Sequence, residues 1–436
     1  MDSCRLVHEE AQRTHVRERS WVTLHEVFSV VLAAATVAGI IMRPWHIPEW
    51  IWAGTGAAAA LLFGLLSPTA AVATLAQGWN VYLFLAGIML LAELARQHGV
   101  FDLLSAIALR AAGGSQRRLF TLFFSTGVVV TAFLANDTTA VLLTVAVCAA
   151  IACTSADPLP YLYACAFVSN ATSFILPISN PANLVVFDGR LPLLGTWIQS
   201  FGLSALVAIA VTYIILRYIF RQALSARFVV VGAGNAPLSP AGRIAAVALV
   251  LSAIALIVTN ACGGSIGIAA AIAAILAIIF VSLADRRTFI EATRHVSWGI
   301  IPLVAGLFVV VAALDSGGLL GSAASALHDT RTWEPHTAAL VISGVIAIAV
   351  NIFNNLPVAL FAGSALQKNI LPQHLSHVVL VAVDLGPNLS VSGSLSTLLW
   401  LAIVRQANLQ VTPWHFFRLG LLVCLPALLL AILFVR

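Results

Sequence analysis

Charged side chains are scarce in this sequence. Lys and Arg together number 22 and Asp and Glu 17, which is 9% of the 436 residues, whereas hydrophobic residues make up 61%. A soluble domain carries roughly 25% charged residues, so this chain has too few charged side chains to cover the surface of a water-soluble fold. Its outer surface is predicted to face lipid, and because lipid offers no hydrogen-bond partners, the spanning segments are predicted to be helices.

Clustered cysteines and clustered basic residues are also lacking. The six cysteines show no metal-ligand spacing and are predicted to act as small apolar residues. The net charge of +5 comes from basic residues in loops between apolar segments, so nucleic acid is not predicted as a partner. No nucleophile–base pair or metal-ligand cluster is visible, so neither an enzyme nor a cofactor is predicted. The expected location is the inner (plasma) membrane, crossed several times.

Long apolar runs dominate what remains. Two stretches, 118–154 and 336–367, are interrupted in the middle by polar residues and are predicted to be re-entrant hairpins. Segments 99–112 and 318–328 are shorter and more polar, and are predicted to lie at the membrane interface. The fold class is therefore all-α integral membrane, with about ten transmembrane helices plus two hairpins. The ten spans are predicted near 27–43, 50–66, 79–96, 161–187, 198–220, 243–262, 266–284, 298–314, 376–404 and 415–435.

An internal repeat supports this division. A shift of 219 residues places Trp79 on Trp298 and Asn136 on Asn355 without a gap. Each half then has five crossings and one hairpin, and because five is odd, the halves enter the membrane from opposite sides. Such inverted repeats are typical of secondary transporters. The predicted organisation is an N-terminal tail (1–26), a first repeat (27–220), a linker loop (221–242) and a second repeat (243–436).

The basic residues also predict an orientation. Most of them lie in the loops on one side, at 43–49, 96–118, 217–243, 285–297 and 405–418. Because cytoplasmic loops carry an excess of Lys and Arg, this side is predicted to be cytoplasmic.

Four polar clusters interrupt the apolar segments, at 135–139, 169–183, 351–357 and 384–397. Pro177 and Pro181 break the helix in one half, as Gly386-Pro387 and Gly393 do in the other. Broken helices expose carbonyl and N–H groups that can replace the water shell of a small polar solute. The predicted substrate-binding residues are Asn136, Thr138, Asn170, Ser173, Ser179, Asn180, Asn183, Asn354, Asn355, Gly386, Asn388, Ser392 and Ser394.

Two carboxyl groups fall inside these clusters, Asp137 and Asp384. A carboxylate at mid-membrane costs about 2.5–3.5 kcal/mol even on a mild insertion scale, and desolvation favours the protonated form of such a group. Both are therefore predicted to carry protons in alternation with solute. The 219-residue shift places Asp137 opposite Leu356, so each half offers one carboxyl group at a different point of its motif. No Lys or Arg lies in the clusters, which argues against a multivalent anion as substrate.

Four motifs carry a family resemblance: FLAND at 133–137, NNLP at 354–357, DLGP at 384–387 and GSLSTLLW at 393–400. With them the chain resembles the ArsB-type arsenite/antimonite efflux permeases of the ion transporter superfamily, from about residue 27 to the end. The resemblance implies export of arsenite or antimonite driven by inward proton movement. It also implies a scaffold with an elevator-like transport domain, and it leaves open an ATPase partner subunit.

Arsenite suits these residues, since at neutral pH it is an uncharged trihydroxide whose O–H groups can pair with amides, hydroxyls and broken-helix backbone. The clusters contain no cysteine, whose thiolate would trap the cargo. The predicted function is therefore export of the neutral trihydroxide in exchange for protons. Two alternatives remain open: a sodium/proton antiporter that holds Na⁺ with Asp137 and backbone carbonyls, and a non-transporting membrane protein such as a receptor or assembly factor.

Overall fold

The structure, a computed structural model, describes residues 25–230, 238–319, 321, 325, 330–367 and 372–435. Helices account for nearly all of this part of the chain, and within it the only β-pairing is two isolated bridges. The predicted tail and the interfacial segment 318–328 lie mostly outside the described residues.

The first half contains α1 (His25–Met42), α2 (Glu49–Leu62), α3 (Pro68–Gln77), α4 (Trp79–Gln97), α5 (Val100–Ala111), α6 (Gln116–Leu134), α7 (Asn136–Ala152), α8 (Leu159–Ala171), α9 (Pro181–Val186) and α10 (Leu194–Ile219). The second half contains α11 (Pro240–Ala261), α12 (Ile266–Ala284), α13 (Thr288–His295), α14 (Ile300–Ser316), α15 (Pro335–Phe353), α16 (Asn355–Gln367), α17 (Gln373–Leu385), α18 (Leu395–Gln406) and α19 (Pro413–Ile432).

Nine helices in the described part of the chain are long and apolar enough to cross a membrane. This confirms the all-helical, multi-pass class. Three predicted spans differ in detail. Segment 161–187 is broken between α8 and α9, and 376–404 between α17 and α18, because proline and glycine interrupt the backbone ladder there. Segment 50–66 holds only the 14-residue helix α2.

The helix boundaries follow the 219-residue spacing. Helices α6 and α15 are both 19 residues long, and α15 begins and ends 219 residues after α6. Helices α10 and α19 likewise start at Leu194 and Pro413. These boundaries agree with two related halves, whose inverted orientation and division into scaffold and transport domains stay predictions.

The chain reverses direction between α6 and α7. Thr131 donates a hydrogen bond to the Thr139 hydroxyl at 2.8 Å, and Thr139 donates to the Gly127 carbonyl at 3.4 Å. In a straight helix residues 127 and 139 would lie about 18 Å apart, so α7 packs back along α6. The joint residue Ala135 has φ 69° and ψ 160°, and Asn354, between α15 and α16, has φ 71° and ψ 154°. The two predicted hairpins therefore share one joint geometry.

Two pairs of helices approach each other closely at a glycine. A Cβ atom on Gly87 of α4 would lie 2.5 Å from the Ala270 carbonyl carbon of α12, and one on Gly306 of α14 would lie 2.7 Å from that of Ala53 in α2. Small residues let membrane helices approach this closely. Gly306 lies 219 residues after Gly87, so the two crossings occupy equivalent positions in the halves.

Candidate functional site

The broken helices place free backbone groups in the middle of the molecule. Helix α8 ends at Ala171 and α9 begins at Pro181, while α17 ends at Leu385 and α18 begins at Leu395. The side chain of Asn180 caps α9 by accepting a hydrogen bond from the Ala182 amide at 3.0 Å. In each half, therefore, nine residues outside the α-helices separate two half-helices, and in the second half Gly386–Leu389 form a short 3₁₀ turn.

Each hairpin tip binds the non-helical segment of its own half. The Asn136 amide donates to the Ser179 carbonyl at 3.0 Å, and the Asn355 amide donates to the Gly393 carbonyl at 2.9 Å. A Cβ atom on Gly393 would lie 2.6 Å from Pro387 Cα, so only glycine fits there. Both halves therefore share one contact: a backbone hydrogen bond that joins the hairpin tip to the broken helix.

The joints behind these tips are strained. Ala135 and Asn354 adopt positive φ with ψ near 155–160°, a region that side-chain-bearing residues rarely occupy. Such a conformation costs about 1–3 kcal/mol and persists only where the surroundings enforce it. The tip hydrogen bonds supply that constraint, and backbone strain of this kind is concentrated at binding and catalytic sites.

Side-chain hydrogen bonds then join the two halves. Asn180 donates to the Asp384 carboxyl oxygen Oδ1 at 2.7 Å. Asn170 donates to Asn388 Oδ1 at 3.0 Å, and Asn388 donates to the Phe167 carbonyl at 2.9 Å. Asp384, Asn170 and Asn388 are all 0% exposed. Within the described residues, Asp384 Oδ2 and Asn170 Oδ1 have no hydrogen-bond partner. Each of these two buried oxygen atoms can therefore still accept a hydrogen bond.

A small cavity of about 60 Å³ lies where these elements meet. Its border includes the N-terminal ends of α7, α9, α16 and α18. Helix N-termini carry partial positive charge and attract oxygen atoms. The half-buried Asp137 is in the first turn of α7 and interacts with Ser396 of α18. The polar residues that line the cavity are Asp137, Asn180, Asn354, Asn355 and Ser394.

The opposite side of the cavity is apolar and was missed by the sequence analysis. It belongs to α1, α4 and the start of α14. No sequence signal distinguishes these six side chains from lipid-facing or core residues of a membrane helix, because all of them are apolar. The residues are Ile40, Ile41, Leu85, Ile300, Leu303 and Leu307.

Several predicted substrate-binding residues lie behind the cavity, where their side chains donate hydrogen bonds to backbone carbonyl groups. Asn183 donates to the Ser173 carbonyl at 2.9 Å, and Ser179 donates to the Ala132 carbonyl at 3.1 Å. The Ser173 hydroxyl in turn donates to the Ser169 carbonyl at 2.9 Å. These contacts fix the first non-helical segment behind the cavity.

In the second half, side chains also donate hydrogen bonds to backbone carbonyl groups near the broken helix. Asn351 donates to the Gly386 carbonyl at 2.8 Å, and Ser392 donates to the Asn351 carbonyl at 2.8 Å. In the first hairpin the Thr138 hydroxyl donates to the Leu134 carbonyl. Nine predicted substrate-binding residues are absent from the cavity lining, and their contact with substrate stays a prediction. They are Asn136, Thr138, Asn170, Ser173, Ser179, Asn183, Gly386, Asn388 and Ser392.

Sequence comparison decides the family. Residues 37–383 match the model of the CitMHS family, described as citrate transporter. The chain belongs to this family. This citrate transporter family member is 25% identical over 422 residues to the arsenical pump membrane protein of Escherichia coli strain K12, covering 92% of this chain and 96% of that protein. The arsenical pump membrane protein of Yersinia enterocolitica is 26% identical over 413 residues, with 90% and 95% covered.

A solved structure shares the fold. The YdaH transporter of Alcanivorax borkumensis superposes with a TM-score of 0.56 at 15% identity, over 83% of this chain and 86% of that one. With the spanning helices, these relatives establish the citrate transporter family member as a multi-pass membrane transporter. The predicted resemblance to the arsenical efflux permeases and the prediction of a transporter rather than an enzyme are thereby confirmed.

Proposed function

We propose that this transporter exports arsenite or antimonite as the neutral trihydroxide in exchange for protons. The observation that carries the proposal is the cavity of about 60 Å³, lined by three amides, a hydroxyl and one carboxyl group, with no Lys, Arg or Cys among its lining residues. The name of the relatives, arsenical pump membrane protein, supports an arsenical as cargo.

The size of the cavity favours a small solute. A single water needs about 10–15 Å³ of such space, so the cavity admits a molecule of only a few heavy atoms. Arsenous acid is of that size. Citrate, named in the family description, is several times larger and carries up to three negative charges, which the lining residues offer no cation to balance. The cavity therefore supports arsenite over citrate within the same family.

Asp137 and Asp384 are proposed to couple this export to protons. Asp137 faces the cavity directly, where solute and proton compete for the same space. Asp384 is fully buried and reaches the cavity through Asn180, which donates to it and also lines the cavity. Protonation of Asp384 would therefore change the hydrogen bond that it accepts from Asn180 and, through it, the contacts that Asn180 can make with a solute. An ATPase subunit is not required for this exchange and stays a prediction.

The test uses everted membrane vesicles with an imposed pH gradient. For each proton exchanged, one pH unit supplies about 1.4 kcal/mol and hence about tenfold accumulation of arsenite. Asp137→Asn and Asp384→Asn should each abolish this accumulation while leaving the protein in the membrane. Asp157→Asn is the control, because Asp157 lies in the loop between α7 and α8 and only caps the Leu159 amide.

Three outcomes would contradict the proposal. Gradient-driven accumulation by both variants would remove the proton-coupling roles. Accumulation of citrate but not arsenite by the wild type would remove the substrate assignment. Sodium-driven proton flux without arsenite movement would favour the sodium/proton antiporter instead.

A further inference from the structure

An apolar groove of about 800 Å³ runs between α11 and α12 on the outside of the helix bundle. Its floor includes the small residues Ser252 and Ala277, which are 5% and 2% exposed. Larger side chains form its edges, among them Leu251, Phe280 and Leu283. Small residues at matching heights on two helices create a slot of this shape, because larger neighbours project on either side.

The groove covers only one half of the membrane. On α11 it extends from Arg243 to Ala255, and on α12 from Ala273 to Ala284. At about 1.5 Å per residue these segments are roughly 17–18 Å long, close to half of the ~30 Å hydrocarbon core. The full helix α11 has 22 residues and continues well beyond the groove.

One end of the groove is cationic. Arg243 lines it, and the exposed Arg286 and Arg287 follow the end of α12 directly. No ion pair in the described part of the chain involves any of these three arginines. Asp285 lies among them, with Oδ1 accepting the Arg287 backbone N–H at 3.1 Å. Three arginines against one carboxylate leave this end positive, on the side predicted to be cytoplasmic.

We propose that this groove binds an anionic phospholipid, with one acyl chain between α11 and α12 and the phosphate at Arg243. Basic pockets between membrane helices on the cytoplasmic side bind such headgroups, and the groove has the depth of one leaflet. A second copy of this chain fits less well, since a helix–helix interface would use the whole length of α11. The site is separate from the cavity between the hairpin tips and does not depend on the proposed cargo.

Native mass spectrometry of the full chain in detergent tests the headgroup contact. The probes are phosphatidylglycerol and phosphatidylethanolamine with the same acyl chains. The wild type should retain one phosphatidylglycerol in preference to phosphatidylethanolamine. Arg243→Gln should weaken that binding about fivefold, the equivalent of about 1 kcal/mol per arginine. Arg418→Gln removes the same charge from an exposed position outside the groove and should have no effect on this lipid.

A second pair of variants tests the acyl-chain contact. Ala255 is exposed within the groove, so Ala255→Phe should fill it and reduce retention of phosphatidylglycerol. Val250→Phe adds the same ring at a position of α11 that is 60% exposed and outside the groove, and should leave retention unchanged. Equal binding of both lipids, or wild-type retention by both Arg243→Gln and Ala255→Phe, would overturn the proposal. So would a lipid-free dimer that Ala255→Phe alone dissociates.

Discussion

The hydrogen bond between Asn180 and Asp384 connects the two halves of the transporter and can be separated from the other role of Asn180. Asn180 caps α9 through its side-chain oxygen and donates to Asp384 through its amide nitrogen. Asn180→Ser keeps a residue that caps helices well but is too short to reach Asp384. Asn180→Ala removes both interactions.

The magnitudes follow from burial. Asp384 is 0% exposed and its Oδ2 has no partner within the described residues, so loss of the Asn180 donor leaves the whole carboxyl group without a hydrogen bond. An unsatisfied buried polar group costs about 1–3 kcal/mol, which is the expected cost of Asn180→Ser. Loss of the cap adds about 1 kcal/mol, so Asn180→Ala should cost about 2–4 kcal/mol.

The assay is chemical unfolding of the purified transporter in detergent, repeated in an Asp384→Asn background. Hydrogen bonds to charged groups contribute about 1.5–3 kcal/mol, against about 0.5–1.5 kcal/mol for neutral pairs. A smaller cost of Asn180→Ser in the Asp384→Asn background would show that Asp384 is ionised in the resting protein. Equal costs would show that it is protonated. Wild-type stability and wild-type export by Asn180→Ser would refute the reasoning, because the bond would then contribute nothing.

Two further predictions concern packing and pH. Gly306→Leu should destabilise the protein by several kcal/mol, because a Cβ atom would lie 2.7 Å from the Ala53 carbonyl carbon; Gly54→Leu, where a Cβ meets nothing within 4 Å, should leave unfolding unchanged. Hydrogen bonds, chiefly from the Thr337 backbone amide, lower the pKa of Glu334 at the start of α15. Its stabilisation is therefore present at neutral pH and lost as the pH falls through the folded-state pKa. Glu334→Gln should lower the melting temperature at pH 7, with the difference from wild type vanishing once the pH falls below the lowered folded-state pKa of Glu334; a difference independent of pH would contradict this.

Much of the fold could be predicted from local signals. The apolar runs, the 219-residue spacing and the helix-breaking residues gave the helices, the hairpins and the broken segments. Pro181 begins α9 directly after one non-helical segment and Gly393 lies inside the other, since proline removes a donor and glycine tolerates close approach. Such effects act within a few residues and so are visible in the sequence.

The sequence could not predict which polar residues line the cavity and which ones hold the backbone around it. Asn180 and Asn183 are three residues apart in one motif, yet one lines the cavity and the other holds the carbonyl of Ser173. Asn183 lies in α9, whereas Asn180 precedes this helix in non-helical chain, where no period relates sequence position to side-chain direction and the direction depends on individual φ and ψ values. The bond from Asn170 to Asn388 joins residues 218 apart and depends on how the halves pack.

The membrane location and the polar, helix-breaking motifs were readable in the sequence, which also predicts two related halves, because composition, spacing and backbone propensity are local properties. The packed fold was needed to show that Asp137 faces a cavity while Asp384 is buried behind Asn180, and that apolar side chains such as Leu85 and Leu303 line the other side of this cavity. Those facts arise from packing between segments far apart in the chain, where burial and hydrogen-bond geometry are set by all the neighbours together.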